Sequence, residues 1–107
     1  MYKAILASLL ATISLSTAVD IEGLISEGCH GERLYGYSVE HFDNCVDVSK
    51  YVPAASIAVN NFNDGQRVRF FSDAECKNKI YTADAPICYT DPDNNVNSFI
   101  VVQSISG

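Results

Sequence analysis

The chain has 107 residues, 48% of them apolar, with 13 acidic side chains against 7 basic and a net charge of −6. That length holds one small domain and excludes a two-domain enzyme. The charge balance offers no basic stripe to neutralise phosphates, which argues against nucleic acid and anionic membrane surfaces as partners.

Residues 1–18 begin with one cation, Lys3, continue as an apolar run from Ala4 to Leu15 and end on Ser16, Thr17 and Ala18. A basic start, an apolar stretch and small residues at a cleavage point make a secretory signal peptide. The run falls short of the ~20 apolar residues that span a bilayer, and Asp20 and Glu22 follow it. The expected product is therefore an exported single domain at 19–107, without membrane insertion.

Beyond residue 18 the turn formers are dense: Gly23, Gly28, Gly31, Gly36, Pro53, Gly65, Pro86 and Pro92, with Asn and Asp clusters at 60–64 and 91–97. The short segments between them are rich in β-branched and aromatic residues. Residues 56–59, 66–71 and 98–102 are predicted strands. The alanines in 52–59 also suit a helix, but Pro53 and the Val-Asn-Asn end favour an extended piece. Period-two alternation points Val68 and Phe70 inward together with Ile57, Val59, Phe99 and Val101, and leaves Arg67 and Arg69 facing water. The fold class is all-β, a sandwich or small barrel of short turn-linked strands.

All four cysteines, Cys29, Cys45, Cys76 and Cys88, lie past residue 18. An even number on an oxidising route reads as two disulfides. Zinc is disfavoured, because no Cys-x-x-Cys pair occurs and neither His30 nor His41 stands at finger spacing from two thiols. There is no Asn-x-Ser/Thr sequon.

An internal repeat organises these features. One copy carries Gly28-Cys29-His30-Gly31, then Cys45, then Ser56-Ile57-Ala58-Val59; the other carries Glu75-Cys76-Lys77-Asn78, then Cys88, then Ser98-Phe99-Ile100-Val101. The copies span about 23–60 and about 65–103. The repeat favours pairing within each copy, Cys29 with Cys45 and Cys76 with Cys88. Four cysteines nevertheless allow three pairings, and a Cys29 to Cys76 link between the two equivalent hairpins is one alternative.

These residues resemble the βγ-crystallin-like Greek-key domains, which include small secreted microbial and fungal members. In the second copy, Phe71 matches the aromatic of the family's folded hairpin, Cys76 the large residue after it, and Asn78 the glycine that adopts positive φ. In the first copy, Leu24, Cys29 and Gly31 take those places, more loosely. Ser56 and Ser98 are similar to the serine that pins each hairpin. The resemblance implies two Greek-key motifs forming a disulfide-stabilised sandwich. It also implies a calcium loop at 93–98, with Asp93, Asn94 and Asn97 as ligands, where the residues themselves read first as a polar turn. The matching stretch of the first copy, 51–56, has no side-chain ligand. No cofactor is required, and calcium is the candidate.

A secreted ribonuclease is the remote enzymatic reading. It would need an acid, a base and an arginine converging on one site, from His30 or His41, Glu32 or Glu40, and Arg67 or Arg69. None of that family's local motifs is present, nor a Gly-x-Ser-x-Gly elbow or a His-Glu-x-x-His pair. Binding remains. Tyr35, Tyr37 and Phe42, in the longer of the two cysteine-bounded segments, are either contact residues with apolar faces and polar tips or sheet residues packed on the core. The chain reads as a secreted non-enzymatic binding protein, effector-like, with an extracellular protein or cell-surface component as partner. A killer-type toxin or enzyme inhibitor of the same fold is the alternative.

Overall fold

The computed structural model describes residues 18–62, 65–93 and 95–103. Of the signal peptide read at 1–18, only Ala18 falls inside them, so that reading lies outside the described residues. Among them are eight strands and no helix: β1 (Val19–Ser26), β2 (His30–Val39), β3 (Cys45–Asp47), β4 (Ser56–Asn60), β5 (Gln66–Phe71), β6 (Lys79–Ala83), β7 (Ile87–Thr90) and β8 (Ser98–Gln103). The three predicted strands are β4, β5 and β8. The 52–59 window holds no helix: β4 starts at Ser56, and the residues before it, including Pro53, form an irregular connection. β1 begins earlier than the expected repeat boundary at residue 23, because Val19 and Ile21 alternate with Asp20 and Glu22 and are completely buried.

The strands form two four-stranded antiparallel sheets, one ordered β2-β1-β4-β7 and the other β3-β8-β5-β6. Each sheet therefore takes three strands from one half of the chain and the third strand of the other half. β3 crosses to the second half's sheet, where Cys45 faces Ile100 of β8. β7 crosses to the first half's sheet, where Cys88 faces Ala58 of β4. The two sheets share one core, with Val19, Ile21, Ile57 and Val59 from the first meeting Val68, Phe70, Phe99 and Val101 from the second. Arg67 and Arg69 face outward, as the alternation of β5 demands.

The strand exchange decides the disulfides. The bridges are Cys29–Cys88 and Cys45–Cys76, with sequence separations of 59 and 31. Both run between the halves, so the expectation of pairing within each copy is corrected. The physical reason is that each second cysteine rides on the exchanged strand and arrives beside the other half's hairpin. Closing these longer loops contributes about 4 kcal/mol per bridge, taken separately, against about 3 for loops within a copy.

The two hairpins are pinned alike. Cys29 N–H donates to Ser56 Oγ (2.8 Å), which donates to Ser26 O (2.6 Å). Cys76 N–H donates to Ser98 Oγ (3.1 Å), which donates to Asp73 O (2.5 Å). Leu24 pairs with Ser56 and Phe71 with Ser98, and both apolar residues are buried. The left-handed residue of the second hairpin is Cys76 (φ 60°), matching Cys29 (φ 59°), and not Asn78 as the resemblance implied. Asn78 instead donates its N–H to Asp73 Oδ1 (2.7 Å), in a turn where the Asp73 carboxylate also accepts from Glu75 and Lys77. That carboxylate is consequently held below its ordinary pKa, chiefly by the Asn78 amide. Gly31 does take positive φ (87°).

Aromatic stacking links the edge strands β6 and β7. Tyr81 and Tyr89 lie face to face at 4.3 Å, and Phe70 stacks on Tyr89 at 5.6 Å. Burial, then the nearby Asp91 carboxylate, raises the Tyr89 pKa.

Candidate functional site

The outward face of β1 carries what its buried face does not. With Val19 and Ile21 inside, period two turns Asp20 and Glu22 out of the sheet. Register then assembles two rows across β2, β1 and β4: Ser38, Asp20 and Asn60 lie side by side, and next to them Gly36, Glu22 and Ala58. The second row has almost no side-chain bulk except at Glu22. The result is an open, mainly polar concavity of about 490 Å³, lined by Asp20, Glu22, Arg33, Gly36, Tyr37, Ser38, Asn60 and Asn61. That volume is in the range of small-molecule sites, roughly 300–1,000 Å³.

Two pairings fix its charges. Arg33 Nη1 donates to Glu22 Oε2 at 3.2 Å, an exposed ion pair whose stabilising value is at most about 1 kcal/mol. Asn61 Nδ2 donates to Asp20 Oδ2. The concavity thus holds two carboxylates, one guanidinium and several neutral polar groups. None of Asp20, Glu22, Asn60 and Asn61 was foreseen as a site residue, because they meet only through strand register.

The aromatic residues expected at a contact surface are drawn inward. Tyr35 is 6% exposed and belongs to the core, stacked obliquely on Tyr51 at 5.2 Å. Its ring covers Gly23 so closely that a Cβ there would overlap it. Burial pushes the Tyr35 hydroxyl pKa up, and among the described residues its oxygen has no hydrogen-bond partner. Tyr37 packs edge-on against Phe99 at 5.7 Å and donates to Tyr51 Oη (3.4 Å). Burial and that bond push its pKa up to about 12. Phe42 is half-buried against the same core. Tyr35 and Phe42 thus pack on the core, and Tyr35 is withdrawn from direct contact with any partner, whereas half-buried Tyr37 packs on the core and also borders the concavity.

At the expected calcium loop, Asn94 lies outside the described residues. The turn is organised by Asp91, buried and not foreseen, whose carboxylate accepts the N–H groups of Asp93 (3.2 Å) and Asn95 (2.6 Å). Asn97 is used as a clasp: its side-chain amide donates to Ser72 O (2.8 Å) and its backbone N–H to Phe71 O (2.9 Å). Asp93 is thus held through its backbone N–H and Asn97 through its side-chain and backbone N–H groups. Among the described residues no three or more His, Cys, Asp or Glu side chains gather as a metal cluster.

The groups proposed for catalysis are dispersed. His30 opens β2 and His41 lies past its other end, the strand itself spanning roughly 30 Å, while Arg67 and Arg69 face outward from β5 in the other sheet. Glu32 and Glu40 are exposed near the two histidines. All four cysteines are in disulfides. Among the described residues no helix is long and apolar enough to cross a membrane. Comparison with protein-family models, curated proteins and solved structures finds no match to this chain.

Proposed function

We propose that this chain is a secreted, non-enzymatic binding protein on a βγ-crystallin-like pair of Greek-key motifs, effector-like, acting on an extracellular host protein or cell-surface component. The observation that carries the reading is the cross-linked double hairpin. Two serine-pinned hairpins, related by the repeat, are tied to each other's halves by exchanged strands and by Cys29–Cys88 and Cys45–Cys76. Such bridges belong to an oxidising compartment. A rigid scaffold presents a preformed surface, which lowers the ordering cost of binding. The excess of acidic over basic residues favours recognition of a particular partner over cationic lysis of anionic membranes.

The test uses the secreted product of the full chain. It is expected to bind target cells saturably, to leave RNA, glycan and protein substrates uncut and to leave anionic vesicles intact. Growth arrest of microbial cells by the protein alone would transfer the assignment to a toxin. RNA cleavage abolished by His41→Ala or Glu40→Gln would overturn the non-enzymatic reading.

A further inference from the structure

Outward positions of a strand are free to carry any polar residue, and β1, β2 and β4 use that freedom unevenly. Glu22 is flanked across the sheet by two small residues, Gly36 of β2 and Ala58 of β4. A glycine inside a strand weakens it by about 0.5–1 kcal/mol relative to alanine. Gly36 does not have the positive φ that would require glycine; its missing side chain instead leaves room for Arg33, whose Nη1 would lie 3.0 Å from a Cβ there. A strand glycine of this kind marks close approach by another group. The guanidinium consequently lies across the trough and pairs with Glu22, while the Ser38, Asp20, Asn60 row forms the neighbouring wall.

The lining selects its ligand by chemistry. Two carboxylates against one guanidinium already paired with Glu22 repel phosphate and sulfate groups. Tyr37 also borders the trough, but set among Asp20, Glu22, Arg33, Ser38 and Asn60 it gives no continuous apolar floor for a lipid or aliphatic chain. A hydroxyl group both donates and accepts, so neighbouring hydroxyls are matched by carboxylates beside amide, hydroxyl and guanidinium groups. We infer that the trough over β2, β1 and β4 is a binding site for a neutral polyhydroxylated ligand, a saccharide, with Asp20 and Glu22 accepting from its hydroxyls and Arg33 and Asn60 donating to them. The inference rests on the binding-protein reading above and gives it a site and a ligand class.

Nuclear magnetic resonance titration of the ¹⁵N-labelled secreted product tests it, with N-acetylchitotetraose, laminaritetraose and mannotriose as probes and tetralysine as the cationic competitor. At least one saccharide is expected to shift the amides of residues 20, 22, 36, 38 and 60 with millimolar affinity. Asp20→Asn and Glu22→Gln, which keep volume and remove charge, should each weaken binding about tenfold. Gly36→Leu should abolish it by filling the trough, and Arg67→Ala on the other sheet should leave it unchanged. An unfolding midpoint near that of the parent establishes that each variant is folded. Saccharide shifts mapping elsewhere, trough shifts produced only by tetralysine, or no shift with any probe would each overturn the site. If cell binding persists when the site fails, the broader binding reading stands; loss of both removes both.

Discussion

Replacing Ser56 by alanine removes a hydroxyl that is completely buried and serves two backbone groups at once, Cys29 N–H and Ser26 C=O. The variant leaves one donor and one acceptor unpaired beneath the first hairpin, each costing about 1–3 kcal/mol when water is kept out. Because the surroundings are only part-buried, the lower half of that range applies, and the sum is about 2–4 kcal/mol. The positive φ of Cys29 adds to the dependence, since a left-handed non-glycine residue costs about 1–2 kcal/mol and needs its N–H held in place. Ser98→Ala should cost the same within about 1 kcal/mol, because Ser98 makes the same pair of bonds to Cys76 and Asp73. Ser49→Ala is the control: its hydroxyl meets only exposed Asp47, so its effect should stay within about 0.5 kcal/mol. Urea unfolding with the disulfides intact measures all three. In thermal unfolding each pinning-serine variant should lower the midpoint by about 4–8 °C per kcal/mol. If both pinning serines cost no more than Ser49, the account of the hairpins is wrong.

Tyr35→Phe should stabilise the domain by up to about 1 kcal/mol, because it removes a buried hydroxyl lacking a partner, and a clear fall in the unfolding midpoint would show that the oxygen is satisfied. Asp73 titrates lower in the folded chain than in the unfolded one, first because of the Asn78 amide and then those of Lys77 and Glu75. Its contribution is therefore present above the unfolded carboxylate pKa of about 3.9 and lost as pH falls through the folded value, since the unfolded state binds the proton first. Asp73→Asn should flatten the acid limb of stability against pH, and an unchanged limb would refute the role. Millimolar calcium should leave the unfolding midpoint where it is, since Asp91 and Asn97 already close the 91–97 turn through protein hydrogen bonds. A midpoint rising with calcium concentration would reveal a site by linkage.

The pattern of the sequence is most informative where one strand reports its own burial. Arg67-Val-Arg-Phe70 alternates so strictly that its inward and outward residues follow from spacing alone, the alternation ending at Phe71, which is buried as well. The same signal was available in β2, where Tyr35, Tyr37 and Val39 alternate with Gly36 and Ser38, and it places the tyrosines inside. Length and aromatic content of that segment leave contact and core packing both open, and periodicity decides for Tyr35. The serines and hairpin cysteines were also legible, because each half repeats them in the same order.

Local content was thus legible along the chain: short strands, their buried faces, the two related hairpins and an even set of cysteines for two bridges. Which sheet each third strand joins, and with it the disulfide partners and the trough, follows from the assembled fold. β3 and β7 are three and four residues long, too short to carry a pattern that names their neighbour. Their choice is made by joint burial of the two sheets around Phe70 and Phe99, a condition spread over the whole chain. Asp20, Ser38 and Asn60 become neighbours for the same reason: the pairing of β1 with both β2 and β4 sets their register, and register is a property of the assembled sheet.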